Sequence, residues 1–335
     1  MELKRTFHAV GQGAFYTERF YEGDKNVFNA VYDCGTSNKQ KVLLDRICSE
    51  FEEQTKIDYC FISHFHNDHI SGIKKLQNQC VINNYVIPAI TPQLLAESAL
   101  HNYFWVHSTN NRMSRFDALV EVIRSIMTAD NRIEVEEGHK LSALFSSNAN
   151  QWIYYPYNPS CNSVKDIIDE LKKHSGLVDL AKAFENKDFD RITEVIKKAD
   201  LKELRNVYRD VYGGHHCYVM PVYSGYEYPA VKNDERVCLY TGDYDASDPT
   251  RVNNLLNPLY SKWEAVGTFQ VPHHGSKDNS CQDLYNNACR IFVISSYGPS
   301  RYHHPHKATL GYISKRFAQV LLVGTEISIS RDYNI

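Results

Sequence analysis

No stretch of this chain approaches the roughly 18–20 consecutive apolar residues that a membrane-crossing helix needs. The opening residues, MELKRTFHAVGQGAF, also lack the apolar segment and small-residue cleavage site of a secretory signal. A cytoplasmic protein without membrane association is therefore expected. The nine cysteines (34, 48, 60, 80, 161, 217, 238, 281 and 289) are odd in number, scattered, and include no C-x-x-C pair. That pattern argues against a disulfide framework, a cysteine zinc ribbon or a redox pair, and for reduced thiols, several of them acting as small apolar residues. Charge of one sign is lacking too: 37 Lys and Arg against 40 Asp and Glu give a net charge of −3. No global field draws the chain to nucleic acid or to an anionic membrane, although a local basic groove is compatible with that balance. Internal repeats, low-complexity tracts and an interdomain linker are absent as well. The 335 residues read as one domain, 1–335, large enough for its own core.

Histidine is what the chain has in excess, with 15 residues unevenly placed. His64, His66 and His69 stand together, followed later by His215–His216, His273–His274, and His303, His304 and His306. Each cluster sits where a predicted strand gives way to a loop. His8, His101, His107, His139 and His174 read as surface or capping residues.

Periodicity places these clusters. KRTFHAVGQGAFYTE and NVFNAVYDCGT have strand character, KQKVLLDRICSEFEE has helical spacing, and KIDYCFISH is a short apolar run of the kind buried on both faces of a sheet. VINNYVIPA is a strand, residues 93–128 are mainly helical, and RIEVEEGHKL and QWIYYPYNP return to strand. A charged, helix-rich block at about 160–212 follows, opened by an S-x-x-D capping signal at Ser163 and Asp166. Its apolar spacing predicts an amphipathic helical insertion packed on the β-core. HHCYVMPVYS, ERVCLYTGDYD, AVGTFQVPHHGS, CRIFVISSYG and AQVLLVGTEISIS resume the β pattern.

The stretch CFISHFHNDHISG packs three histidines and an acid into six positions directly after a buried strand. His64 and His66, two apart on an extended segment, can point to one metal, while Asp68 and His69 on the following turn can serve a second. Imidazole with carboxylate suits zinc, manganese or iron.

H-x-H-x-D-H after an apolar strand resembles the signature of the metallo-β-lactamase fold, an αββα sandwich of hydrolases with a dinuclear metal site. The fold class implied is α/β (α+β), with the helical block as an insertion and two divalent ions, Zn or Mn, as cofactors. AVGQGAF and VYDCGT resemble the family's first hairpin and its D-x-G turn at Asp33–Gly35. CLYTGDYD resembles the strand ending in the acid that bridges both metals, which puts Asp243 in that role. The resemblance implies that His274 or His273 completes the second metal's ligands. The following Gly275 favours His274, but sequence does not separate the two, and the other would contact substrate. His215 and His216 stand where many family members carry a further first-metal histidine.

VPHHGS and SSYGPSRYHHPH resemble one branch in particular, that of the metallo-β-lactamase-like domain of bacterial DNA-uptake (competence) channels. Two departures stand out: Ala14 follows G-Q-G where that branch usually has Asp, and His69-Ile70-Ser71-Gly72 relaxes H-x-x-G-G. The branch implies a phosphodiesterase or nuclease acting on nucleic acid or nucleotides through a metal-activated water, with Asp68, Asp243 and His304 as catalytic groups. His273, Ser276, Lys277 and His304 would meet the substrate. No basic stretch interleaved with aromatics independently marks a nucleic-acid surface. The alternatives are hydrolysis of a thioester or lactone, or a protein-binding subunit of a larger bacterial, defence-type assembly that meets its partner through the helical insertion.

Overall fold

The computed structural model describes residues 1–108, 113–143, 151–159, 165–213, 218–286, 289–296, 303–316 and 318–335. The first sheet grows from the amino-terminal third. Strands β1 (Glu2–Phe7), β2 (Phe15–Glu22) and β3 (Lys25–Cys34) form an antiparallel meander. Past β3 the direction is parallel. Helix α1 (Gln40–Glu50) leads to β4 (Thr55–Ile57) and β5 (Tyr59–Phe61), and α2 (Asn67–Ile70) and α3 (Ile73–Gln79) lead to β6 (Cys80–Ile82) and β7 (Tyr85–Pro88). Helices α4 (Pro92–Ser108) and α5 (Met113–Met127) carry the chain to β8 (Arg132–Val135). These helices are the crossovers that parallel neighbours require. β4 and β6 pair with each other in a small ladder of their own.

The second sheet begins with β9 (Leu141–Ser142) and β10 (Trp152–Pro156). After the insertion, α6 (Ile167–Lys172), α7 (Val178–Glu185), α8 (Phe189–Lys198) and α9 (Leu201–Tyr212), it continues with β11 (Val222–Tyr226) and β12 (Asp234–Tyr240). Helix α10 (Pro249–Leu256) precedes β13 (Val266–Gln270), β14 (Ile291–Ser295) follows, and α11 (Lys307–Ser314) precedes β15 (Gln319–Val323). The last strand, β16 (Ile329–Asn334), crosses back to pair with β1. Among the described residues the orders are β16-β1-β2-β3-β5-β7-β8 and β15-β14-β13-β12-β11-β10-β9.

Three apolar layers define the architecture. Tyr16, Phe28, Tyr32, Phe61, Trp152, Tyr154 and Tyr240 fill the space between the sheets. Val31, Ile62 and Ile87 pack outward against α1, α3, α4 and α5, while Leu239, Phe269 and Phe292 pack outward against α10 and α11. This is the αββα arrangement of the metallo-β-lactamase fold, and burial of each large side chain is worth about 1.5–3 kcal/mol.

The insertion differs from expectation in what it covers. Among the described residues it packs mainly on helices: α6, α7 and α9 lie against α4, and α8 against α5. The reason is written in α4, where Leu94, Leu95, Ala96, Ala99, Leu100, Tyr103, Trp105 and Val106 are all buried. A helix apolar on nearly all sides needs cover on its outer face as well as its inner one. The capping signal also resolves differently. Asp166 itself caps α6, accepting from the backbone N–H of Ile168 and Asp169, and Ser163 lies outside the described residues.

His8, read as a surface residue, is buried, stacked on Phe15 at 4.2 Å. Burial, helped by Arg46 and Lys4, lowers its pKa to about 3. The unfolded chain therefore binds a proton that the folded one refuses, and stability falls as pH drops from about 6.5 towards 3. The slope is at most about 1.4 kcal/mol per pH unit. His8→Phe should flatten that limb of a denaturant-midpoint profile against pH; an unchanged limb would place the acid sensitivity elsewhere.

Candidate metal centre

The histidine clusters meet because each follows a strand of the parallel central part of its sheet. His64, His66, Asp68 and His69 follow β5, Asp243 follows β12, and His273 and His274 follow β13. Ligand-bearing loops at carboxyl ends of parallel strands are the general rule for α/β sheets.

Two glycines let the loops approach this closely. A Cβ on Gly13 would lie 2.4 Å from the Gly35 carbonyl oxygen, and one on Gly35 would lie 2.5 Å from the backbone of Asp68 and His69. The G-Q-G and D-C-G turns therefore press directly on the backbone that carries the ligands, and Ala14 N–H donates to the Asp68 carbonyl at 3.1 Å. Gly35→Ala should destabilise the fold by about 1–3 kcal/mol, the usual cost of overpacking, visible as a lower Tm. An unchanged Tm would mean that the loops are looser than this.

Around Asp243 the histidines divide into two sets. Its Oδ1 lies 3.1 Å from His69 Nε2 and 3.6 Å from His274 Nε2, and His274 Nε2 is 3.4 Å from Asp68 Oδ2. Its Oδ2 lies 3.6 Å from His273 Nε2 and 3.9 Å from His64 Nε2. Asp68, His69, Asp243 and His274 each bring one donor atom into a common space. His273, which sequence could not distinguish from its neighbour, thus faces the opposite oxygen. Both adopt the left-handed region, with φ of 46° and 56°, so adjacent side chains can reach one carboxylate from two sides. Such conformations cost on the order of 1–3 kcal/mol each. Asn279 Oδ1 on His273 Nδ1 (2.7 Å) and the Ser295 carbonyl on His274 Nδ1 (2.8 Å) help to hold them.

The same division of labour recurs in the other rings. His69 Nδ1 meets Asp33 Oδ2 at 2.7 Å, and His64 Nδ1 meets Ser63 Oγ at 2.9 Å. Asp33, itself left-handed at φ 55°, also accepts from the Ser63 N–H and hydroxyl, both at 2.7 Å. Holding one imidazole nitrogen from outside is how proteins orient the other toward a metal. Gln270 serves Asp243 in a comparable way, its Oε1 accepting from the N–H groups of Thr241 and Gly242 at 2.7 and 2.8 Å.

A divalent cation fits this donor set. Buried atoms His69 Nε2, His274 Nε2 and Asp243 Oδ1 make no hydrogen bond although they face one another. Ligand atoms around tetrahedral zinc, about 2.0–2.2 Å from it, stand roughly 3.4 Å apart, within the 3.1–3.6 Å spread seen here. Burial opposes charge on His69 and His274, yet the carboxylates beside them hold both pKa values above the ordinary histidine range, His69 well above it. Burial likewise opposes the carboxylates, and the imidazoles hold Asp243 well below the usual range, with Asp68 lowered too. The pocket thus stabilises concentrated positive charge between acids.

The other expected residues are placed as follows. His304 lies at the rim, its ring 5.7 Å from His273 and 6.4 Å from His274, tied in by the His306 N–H donating to the Gly275 carbonyl at 3.0 Å. Burial and the nearby His274 lower its pKa to about 4. Ser276 is buried in its own turn, accepting from the Asp278 N–H, and Lys277 is exposed. Neither borders the cleft. His215 and His216 lie outside the described residues. His66 turns to Glu97, with Nε2 2.9 and 3.1 Å from the two carboxylate oxygens, and stacks on His101. His101, read as a surface residue, instead lines the cleft. Gln12, Ser37, His66, Asp68, His101, Trp105, Asp243, His273 and His304 border this opening. Gln12, Ser37, Glu97, His101 and Trp105 were not anticipated. Glu97 and His101, four apart on a mainly apolar helix, are the pair with a signal to find.

Residues 21–117, which contain the whole His64–His69 motif, match the family model described as Metallo-beta-lactamase superfamily. No curated protein matches the chain. Among solved structures, similarity extends to the metallo-β-lactamase MIM-1 from Novosphingobium pentaromativorans, at 10% identity over 93% of this chain and 89% of that one, with a TM-score of 0.34. Fold and site define the class as a metallo-β-lactamase-type α/β sandwich whose His/Asp cluster could hold a metal ion. No described helix is long and apolar enough to cross a membrane.

Proposed function

We propose that the chain is a dinuclear metal-dependent hydrolase, and more specifically a phosphodiesterase acting on nucleic acid or nucleotides. The observation that carries the metal-dependent part is the two-sided environment of Asp243, with His69 and His274 on one oxygen and His64 and His273 on the other. Asp68 and Asp243 would hold and orient the reacting water between them. When bound, two divalent ions, Zn or Mn, supply water activation near neutral pH and polarisation of the scissile oxygen. The preference for a phosphodiester rests on the resemblance of GQG, TGD, HHGS and HHP to the DNA-uptake branch. His304 at the cleft rim suits an anionic substrate. Its low pKa keeps the ring neutral at pH 7, which favours hydrogen-bond donation to a phosphate oxygen over delivery of a proton.

The test is turnover of bis(p-nitrophenyl) phosphate and of single- and double-stranded DNA and RNA with Mn²⁺ or Zn²⁺, beside Asp68→Ala. Metal-dependent phosphodiester cleavage lost in that variant is the expected result. Cleavage of thioesters or lactones alone would move the substrate to a non-phosphate ester. No turnover together with a co-purifying partner would make the chain a binding module.

A further inference from the structure

Glu97 carries a carboxylate that is only 2% exposed, on a helix whose neighbouring positions are Leu94, Ala96 and Leu100. Such a group is costly to bury unless donors hold it. Both of its oxygens lie within hydrogen-bond distance of His66 Nε2, and the Tyr208 hydroxyl of α9 donates to Oε1 at 3.3 Å. A carboxylate accepts only, so this pairing puts the His66 proton on Nε2 and the lone pair on Nδ1. His66 itself lines the cleft with Asp68, Asp243 and His273.

In His64, His69 and His274, Nδ1 is held from outside and Nε2 faces Asp243. In His66 the nitrogen held by a neighbouring acceptor is Nε2, not Nδ1. We propose that Glu97 is the positioning residue that sets the His66 tautomer and orientation for metal binding through Nδ1, and that Tyr208 makes the helical insertion part of the same site. The inference rests on the reading of this cleft as a metal centre. A carboxylate on the outer nitrogen also raises the basicity of the inner one.

His101 supports the same geometry. Its ring lies parallel to His66 at 3.6 Å and 7°, so one cation cannot lie in the plane of both rings. His101 acts as a flat wall against rotation of His66. On the insertion side, Tyr208 is seated edge-on to Phe104 at 5.4 Å and beside Tyr212 at 4.8 Å. The insertion, which covers α4, thereby also reaches a ligand two residues before Asp68. Affinity for one of the two cations then depends on α9 being in place.

The experiment uses the full chain, stripped by chelator and titrated with Co²⁺, with visible absorption and elemental analysis as readouts. Wild-type protein should take up about two Co²⁺. Glu97→Gln should weaken one of the two by about 10–100-fold, the usual effect of removing an outer partner, and leave the other unchanged. Glu97→Asp should recover part of the loss. Tyr208→Phe, which removes only a hydroxyl, should weaken the same Co²⁺ by roughly 2–10-fold. A Glu97 that merely supports the fold would lower the Tm of the metal-free protein and leave both affinities intact, and that result overturns the proposal. Wild-type protein that takes up no Co²⁺ removes the metal-centre reading itself, and with it this inference.

Discussion

Asp243→Asn is expected to leave the fold intact and to abolish most activity. The amide keeps the size of the side chain but removes the charge that both imidazole sets face. Asp243 lies in a loop whose backbone is held by Gln270, independently of its own carboxylate. The variant should therefore melt cooperatively with near-native circular dichroism. Its metal content should drop from about two ions per chain to one or none. On the proposed dinuclear reading, loss of this charge removes several kcal/mol of transition-state stabilisation, so turnover should fall about 10³-fold or more at 1.36 kcal/mol per tenfold. A variant retaining both ions and more than a tenth of the activity would show that the carboxylate bridges nothing.

Asp33→Ala has the second largest expected effect, and it acts through a residue that touches no substrate. Asp33 is fully buried and receives the Ser63 N–H, the Ser63 hydroxyl and His69 Nδ1. Deleting it strands these buried groups together, at a cost of about 3–5 kcal/mol. It also frees His69 to rotate, which should weaken the metal site by a further 10–100-fold. Thermal melts of the metal-free and metal-loaded protein separate the two effects. Both Tm values should fall, and the gain in Tm on adding Zn²⁺ should shrink. An undiminished gain would mean that His69 is held by something other than Asp33.

How legible the site was depends on how each residue acts. His64, His66, Asp68 and His69 fall within six positions, so one loop after one apolar strand announces them. Asp243 is isolated, but it follows a strand in a recognisable T-G-D turn. His273 and His274 were legible as a pair and not as individuals, because only the left-handed backbone shows that they approach Asp243 from opposite sides. Gln270, Asn279 and Ser295 act through one or two hydrogen bonds to a ligand or its loop, and no spacing marks such a residue. Asp33 stood out only as the start of the D-x-G turn, and its three hydrogen bonds to Ser63 and His69 were not legible. Glu97 and His101 were open to detection. An acid and a histidine at i and i+4 within LLAESALHNYFW interrupt an apolar helix, and buried polar groups there call for a partner.

The fold divides along similar lines. Strand runs that alternate or stay apolar, such as KIDYCFISH and CRIFVISSYG, carry their own periodicity, whereas the αββα layering was implied only by the resemblance of the histidine motif to a known family. The footing of the insertion was marked by neither. Amphipathic helices specify that one face is covered, not by what. The determining feature lies some 70 residues upstream, in the all-round apolar character of α4.

The metal content of the wild-type protein tests the central claim most directly. The full chain, loaded with Zn²⁺ or Mn²⁺, desalted and measured by elemental analysis, should retain about two ions per chain, and Asp243→Asn one or none. Wild-type protein with an intact fold and no retained metal would contradict the account.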